Sequence, residues 1–337
     1  MVFFIFETGM MSVRLQGHSY LINYLIAFVI IISINFMLPR MMPGDPLTAI
    51  YGEEALISLT PEIQADLSHK LGLDKPLWAQ FFLYLASLAT LDFGHSYYYN
   101  APVLNVIAGV LPWTLLLVGC ALIVSTLLGI YLGIESGWRR GGKTDHFLLT
   151  VLMFLNGFPD FFIGILLLLA FSVTLGLLPL GGALTPFAGY TGLALVLDIA
   201  RHMLLPFLAL TLAHLSGSYL LTRNTMVTTL AMPFILTARA KGLDDRTIRY
   251  NHAGRNSMLP VITRTGVRFG ILFTGVLFIE VVFAYPGIGL LLYNSLFTRD
   301  YTLLQGIFII VSISVLLANF ITDRLYKKID PRIDHAY

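Results

Sequence analysis

The chain has 337 residues, 57% of them hydrophobic and only 12% charged, with a net charge of +2 and a mean hydropathy of +0.79. A soluble domain carries about 25% charged residues, so too few polar side chains remain here to cover a water-facing surface, and the chain reads as an integral membrane protein. No basic run is long enough to follow a nucleic-acid backbone, the single Cys120 can form no internal disulfide, and the eight histidines show no metal-binding spacing.

A bilayer core of roughly 30 Å takes about 20 apolar residues in a helix. After a tail over residues 1–19, the first candidate span covers residues 20–38, Tyr20 to Leu38. It exceeds a signal-peptide core in length and lacks a small-x-small cleavage site, so it reads as a retained helix. Residues 39–110 form a loop rich in acids (Asp45, Glu53, Glu54, Glu62, Asp66, Asp74, Asp92). A membrane core over 111–325 follows. Its first span, Leu111 to Ile134, is free of charge. The next apolar run, Phe147 to Leu180, is 34 residues long, interrupted only by Asn156, Pro159 and Asp160. That is too long for one perpendicular helix, and predicts a kinked helix to about Leu175 and then a loop through "LPLGG". Spans near Met203–Leu221, Val267–Tyr285 and Leu303–Leu325 bring the count to six, before a tail at 326–337.

Orientation follows from Lys and Arg. With the N-terminus inside, sixteen of the 21 basic residues fall on inner segments. They include Arg139, Arg140 and Lys143 in one short loop, and eight between Arg223 and Arg268. Both termini are therefore expected in the cytoplasm.

The short inner loop contains "GWRRGGKT", Gly137 to Thr144, which satisfies the phosphate-loop pattern G-x-x-x-x-G-K-[ST]. A true phosphate loop follows a buried strand and opens a helix in an α/β domain. Here the match joins two membrane spans, so it is expected to be a coincidence, with Arg139, Arg140 and Lys143 as anchors on the inner face.

The loop 222–265 is too long for a turn and too short for a domain. Pro233 can begin a short helix, Ala238 and Ala240 give it small side chains, and Gly242 is placed to end it in a left-handed cap. Asp244 or Asp245 can cap a second short segment. A short helix of small residues flanked by positive charge is suited to a groove in another protein, or to an anionic membrane surface.

"RNTM" (223–226), "TARAKG" (237–242) and "HAGRNSMLP" (252–260) resemble, in order and spacing, the ATPase-docking loop of ABC importer permeases of the dipeptide/oligopeptide/nickel family. "PGDP" (43–46), "LGLDKPLWAQ" (71–80), "DFGHS" (92–96), "FIEVVFAYPGIG" (278–289), "RDYTLLQG" (299–306) and "DPRI" (330–333) extend the resemblance over nearly the whole chain. It implies an all-α type I importer permease fold in the inner or plasma membrane, with no catalytic residue and no cofactor of its own. The implied partners are a second similar permease, two cytoplasmic ATPases that hold ATP and magnesium, and an external solute-binding protein. The implied docking residues are Thr237, Ala238, Arg239, Ala240, Lys241, Gly242, His252, Arg255 and Asn256. Peptides are the implied substrate, with nickel or metal chelates and oligosaccharides as alternatives. Thr228, Pro233 and Leu236 are uncharged where the family commonly carries charge, and Gly254 replaces a usual Leu.

Two carboxylates fall within spans. A charge there should face a cavity, a partner or another polar group. Glu280 is open between lining the translocation path and packing at a permease interface. Asp160, after Pro159, is open between lining the path, repairing the helix where proline removes an N–H, and pairing at an interface. A proton-coupled secondary transporter using these two carboxylates is a competing class. It would need no docking loop.

Overall fold

The computed structural model describes residues 19–41, 57, 60–70, 75–262, 264–265 and 276–329. The tails 1–18 and 330–337, the motifs "PGDP" and "DPRI", and residues 267–275 of the Val267–Tyr285 span lie outside the described residues.

The described chain is almost entirely helical. Helices α1 (Ser19–Met41), α2 (Pro61–Lys70) and α3 (Leu77–Ala89) precede a two-stranded hairpin, β1 (His95–Ser96) and β2 (Ala101–Pro102). Then come α4 (Val103–Trp138), α5 (Lys143–Asn156), α6 (Asp160–Leu167) continuing as a π-helical turn Leu168–Thr174, and α7 (Leu193–Leu230). The docking-loop region holds α8 (Pro233–Ala240), α9 (Asp245–Thr247) with a π-helical turn Ile248–Gly254, and α10 (255–262). The chain closes with α11 (Leu277–Val282), α12 (Ile288–Phe297) and α13 (Tyr301–Ile329).

The two longest helices, α4 and α7 with 36 and 38 residues, form the axis of the molecule. Each extends roughly 55 Å at about 1.5 Å per residue, beyond the hydrocarbon core at one or both ends. Their contact is made by glycines spaced four apart on α4, facing residues spaced four apart on α7. A Cβ added at Gly129 would stand 2.5 Å from Ser218 Cβ, one at Gly133 2.5 Å from Thr222 Cβ, and one at Gly137 2.7 Å from Met226 Cβ. Only residues without a Cβ let the backbones approach this closely, the small-residue solution to helix packing in lipid, where no hydrophobic force draws helices together.

Around this axis, Leu117, Leu122, Leu205, Leu210, Ile279 and Phe283 build the main apolar core. Helix α1 docks on α13: Asn35 Nδ2 donates to Gln305 O (3.0 Å) while Gln305 Nε2 donates to Asn35 O (2.9 Å). At the end of α4 farthest from Arg139, Asp300 ties "DFGHS" to "RDYTLLQG". It accepts from Ser96 Oγ (2.6 Å) and from the backbone N–H groups of Tyr98 (3.2 Å) and Leu303 (3.0 Å), capping α13.

The expected kinked helix over Phe147–Leu175 is broken more sharply than a kink. Helices α5 and α6 meet at 100° across Gly157–Pro159. Among the described residues, three helices are long and apolar enough to cross a membrane, Val103–Trp138, Leu193–Leu230 and Tyr301–Phe320, or four if the bent pair counts as one span.

Candidate functional site

The loop after α7 is assembled from local rules. Met232 is extended (φ −75°, ψ 147°), as a residue before proline must be, and Pro233 occupies the first turn of α8, where its missing N–H costs nothing. Gly242 ends the helix in the left-handed region (φ +72°). Its N–H reaches Arg239 O (2.9 Å) and the Leu243 N–H reaches Ala238 O (3.3 Å), the paired bonds of a Schellman cap. Of the two candidate caps for the next segment, Asp244 acts: its carboxylate accepts the Thr247 N–H at 3.1 Å. Hydrogen bonds from Thr247 hold the Asp244 pKa below the usual carboxylate value. The π-helical turn then closes at Gly254, where a Cβ would lie 2.7 Å from Arg249 O and 3.0 Å from Ile134 Cδ1. The missing side chain lets the turn seat against α4.

This construction gives α8 two faces. Ile235 and Ala238, three apart and hence on one side of a helix, are buried with Ile134, Met226, Ile248 and Ala253. Thr237, Arg239, Ala240, Lys241 and Gly242 are exposed on the other side, together with Phe234 and Leu236, and Arg255 and Asn256 are exposed farther on. His252 is half-buried, and its carbonyl accepts from Asn256 Nδ2 at 2.9 Å. Ala238 therefore faces into the protein. Its small side chain lets α8 approach α4 and α7.

Two charge clusters hold the loop. Glu135, near the end of α4, accepts from Arg249 Nη1 (3.0 Å) and from the Tyr250 hydroxyl, with Arg139 at 3.6 Å. The Arg249 guanidinium lies 4.9 Å from the Trp138 ring centroid, within reach of a cation–π contact. The hydrogen bond to Glu135 raises the Tyr250 pKa, because losing the phenolic proton would place two anions together. In the second cluster Asp145 is nearly fully buried. It accepts from Arg223 Nε (2.7 Å) and Nη2 (2.8 Å), from Ser136 Oγ, and from the Gly141 N–H (2.9 Å). Ser136 Oγ is also 2.7 Å from Tyr219 Oη.

The second cluster accounts for "GWRRGGKT". Gly137 is inside helix α4, packed on Met226, rather than following a strand. Gly141 (φ +79°) makes the turn and Gly142 caps α5. The backbone donor at Gly141 that would face a phosphate in a nucleotide loop faces the chain's own Asp145 carboxylate.

Glu280 and Asp160 separate sharply. Glu280 is fully buried and caps α12 from a distance. Oε1 accepts from Thr114 Oγ1 (2.7 Å), Oε2 from the N–H groups of Gly289 (2.6 Å) and Leu290 (3.2 Å), and Thr114 Oγ1 in turn accepts the Ile288 N–H (2.8 Å). A Cβ at Gly287 would fall on this carboxylate. The side chain thus answers the open donors of a helix N-terminus inside its own chain. Asp160 opens α6, half-buried, with no hydrogen bond or ion pair among the described residues. It does not repair the break at Pro159, since the Phe158 N–H already reaches Leu155 O (3.2 Å). Helix repair is set aside, and path lining and interface pairing remain open.

Sequence reasoning passed over Glu135, Asp145 and the glycine row. The row was visible as G-x3-G-x3-G over 129–137, hidden because Gly137 was read as the first letter of a nucleotide motif. The ion pairs had no local signal, because their partners lie 114 and 78 residues away.

The comparisons with known proteins agree with this architecture. The family model described as "Binding-protein-dependent transport system inner membrane component" matches residues 125–335, and its N-terminal companion matches residues 18–118. The di/tripeptide transport system permease protein DppB of Pseudomonas aeruginosa is 34% identical over 316 residues, with 90% of this chain and 93% of that protein covered. The dipeptide transport system permease protein DppB of Escherichia coli K12 is 33% identical, with 91% and 95% covered. The oligopeptide transport system permease protein OppB of Haemophilus influenzae is 36% identical, with 93% and 97% covered. Among solved structures, the MetNI methionine ABC transporter in an inward-facing conformation matches with a TM-score of 0.54 at 14% identity, over 67% of this chain and 97% of that chain. This last likeness concerns the fold alone. With a family model matching across the helical core and relatives matching over nearly their full length, the chain belongs to the binding-protein-dependent transport system inner membrane component family of ABC importer permeases.

Proposed function

We propose that this chain is the transmembrane permease subunit of an ATP-driven, solute-binding-protein-dependent importer of di- and oligopeptides. The observation that carries the reading is the two-faced loop. Its inner face is fixed to α4 and α7, while its outer face exposes Phe234 (40%) and Leu236 (65%) beside Arg239 and Lys241. Apolar side chains grouped on an exposed, charged loop mark a protein contact. In this reading Thr237, Arg239, Ala240, Lys241, Gly242, His252, Arg255 and Asn256 meet an ATPase, and Ala238 acts from within by setting the seat of α8. ATP and magnesium belong to the two ATPases, so this chain is non-catalytic. A second permease completes the path, Asp160 lines it, and an external binding protein delivers the substrate. The distribution of Lys and Arg supports placing both termini and the loop in the cytoplasm. The peptide assignment rests on the similarity to the relatives named above.

The test is reconstitution in proteoliposomes with the second permease, the ATPases and the binding protein. Uptake of labelled dipeptide should require ATP inside the compartment that holds the ATPases. Uptake by the permeases alone, driven by a proton gradient, would refute the proposal.

A further inference from the structure

We propose that the groove between Tyr131 on α4 and the segment Arg246–Asn251 binds the phosphate headgroup of an anionic phospholipid, with an acyl chain lying along Ile123 and Leu127. The groove has a volume of about 760 Å³ and is lined by Tyr131, Arg246, Thr247, Arg249, Tyr250 and Asn251. That lining holds two guanidinium groups and no carboxylate. Glu135 pairs with Arg249 and so neutralises it, and Asp244 accepts the Thr247 N–H, which leaves Arg246 as the guanidinium open to a phosphate. Arg246 has no carboxylate partner among the described residues. The planar guanidinium fork matches phosphate oxygens.

The surface next to the groove identifies the source of that phosphate. Ile123 (60% exposed), Leu127 (62%) and Tyr131 (55%) follow one another at four-residue steps on a single face of α4. They make an apolar strip roughly 12 Å long that runs into the cationic groove. A soluble phosphate would use the groove and ignore the strip. A phospholipid uses both.

The experiment takes the full chain, purified in detergent, and measures retained phosphatidylglycerol or phosphatidylcholine by native mass spectrometry. Phosphatidylglycerol should be retained in preference. Arg246→Gln should weaken its binding about fivefold, the effect of one basic side chain at an anionic lipid surface, with unchanged thermal stability. Leu127→Ser should weaken it as well, and glycerol phosphate without acyl chains should compete poorly. Equal retention of the two lipids, or full retention by Arg246→Gln, would overturn the proposal. Displacement by glycerol phosphate at lipid-like concentrations would assign the groove to a soluble anion and reject the lipid. Loss of the lipid when the second permease is bound would assign the strip to that partner and also reject it.

Discussion

Asp145 and Arg223 stand 78 residues apart in the chain and meet through two parallel hydrogen bonds of 2.7 and 2.8 Å. Fork-to-fork pairing of this kind fixes direction as well as distance. It joins the start of α5 to α7 just before the loop. Asp145→Asn should therefore leave a guanidinium without its counter-charge in a largely enclosed site, a loss of about 3–5 kcal/mol. Denaturant or thermal unfolding of the solubilised chain measures it. An unchanged midpoint would mean that the pair is ornamental.

Gly133 offers a steric test. A methyl group there meets Thr222 Cβ at 2.5 Å and Tyr219 O at 2.9 Å, and overpacking of a close contact costs typically about 1–3 kcal/mol. Gly133→Ala should lower the unfolding midpoint. Adding Thr222→Gly should restore part of the loss, since it removes one of the two obstacles and leaves the carbonyl. No recovery in the double variant would place the damage elsewhere than at this contact.

For Glu280 the prediction concerns shape against charge. Glu280→Ala leaves the Gly289 and Leu290 N–H groups without an acceptor in a dry interior, at about 1–3 kcal/mol for each unsatisfied group. Glu280→Gln keeps one acceptor oxygen and should lose less. Thermal unfolding should thus rank wild type above Gln and Gln above Ala. Transport by Glu280→Gln close to wild type would confirm that the carboxylate holds α12 instead of handling substrate.

Two neighbouring alanines on α8 should behave differently because they face opposite ways. Ala238→Trp forces a large ring into the packed cluster of Ile134, Met226 and Ile248, so it should destabilise the chain itself. Ala240→Trp points outward. It should leave unfolding unchanged within about 0.5 kcal/mol, as surface substitutions do, while blocking co-purification of the ATPase. Normal association and transport by Ala240→Trp would remove α8 from the docking surface.

What could be read in advance follows the range of the interaction. Pro233, Gly242 and Asp244 act within a few residues of themselves, and the start, stop and cap of the loop were legible in the letters. That "GWRRGGKT" joins two helices and follows no strand was legible too, from the spans on either side. The orientation of Ala238 was not, because smallness looks the same whether it serves a partner's groove or the chain's own core. Glu280 was recognisable as costly, but its answer, Thr114 and the start of α12, is supplied by tertiary packing. The proline at 159 announced a break in the helix. The angle of 100° is set by neighbours that no local rule names.

The glycine row on α4 has a mechanical consequence. Side chains at an ordinary helix interface yield by changing rotamer, so such helices can slide past one another by small shear steps. Glycine has no rotamer to change. At positions 129, 133 and 137 the backbone of α4 rests directly on α7, and any sliding would drive main chain into Ser218, Thr222 and Met226. The pair is a keel, stiff along about two turns and unable to ratchet. Whatever swings in this molecule must hang from its edges.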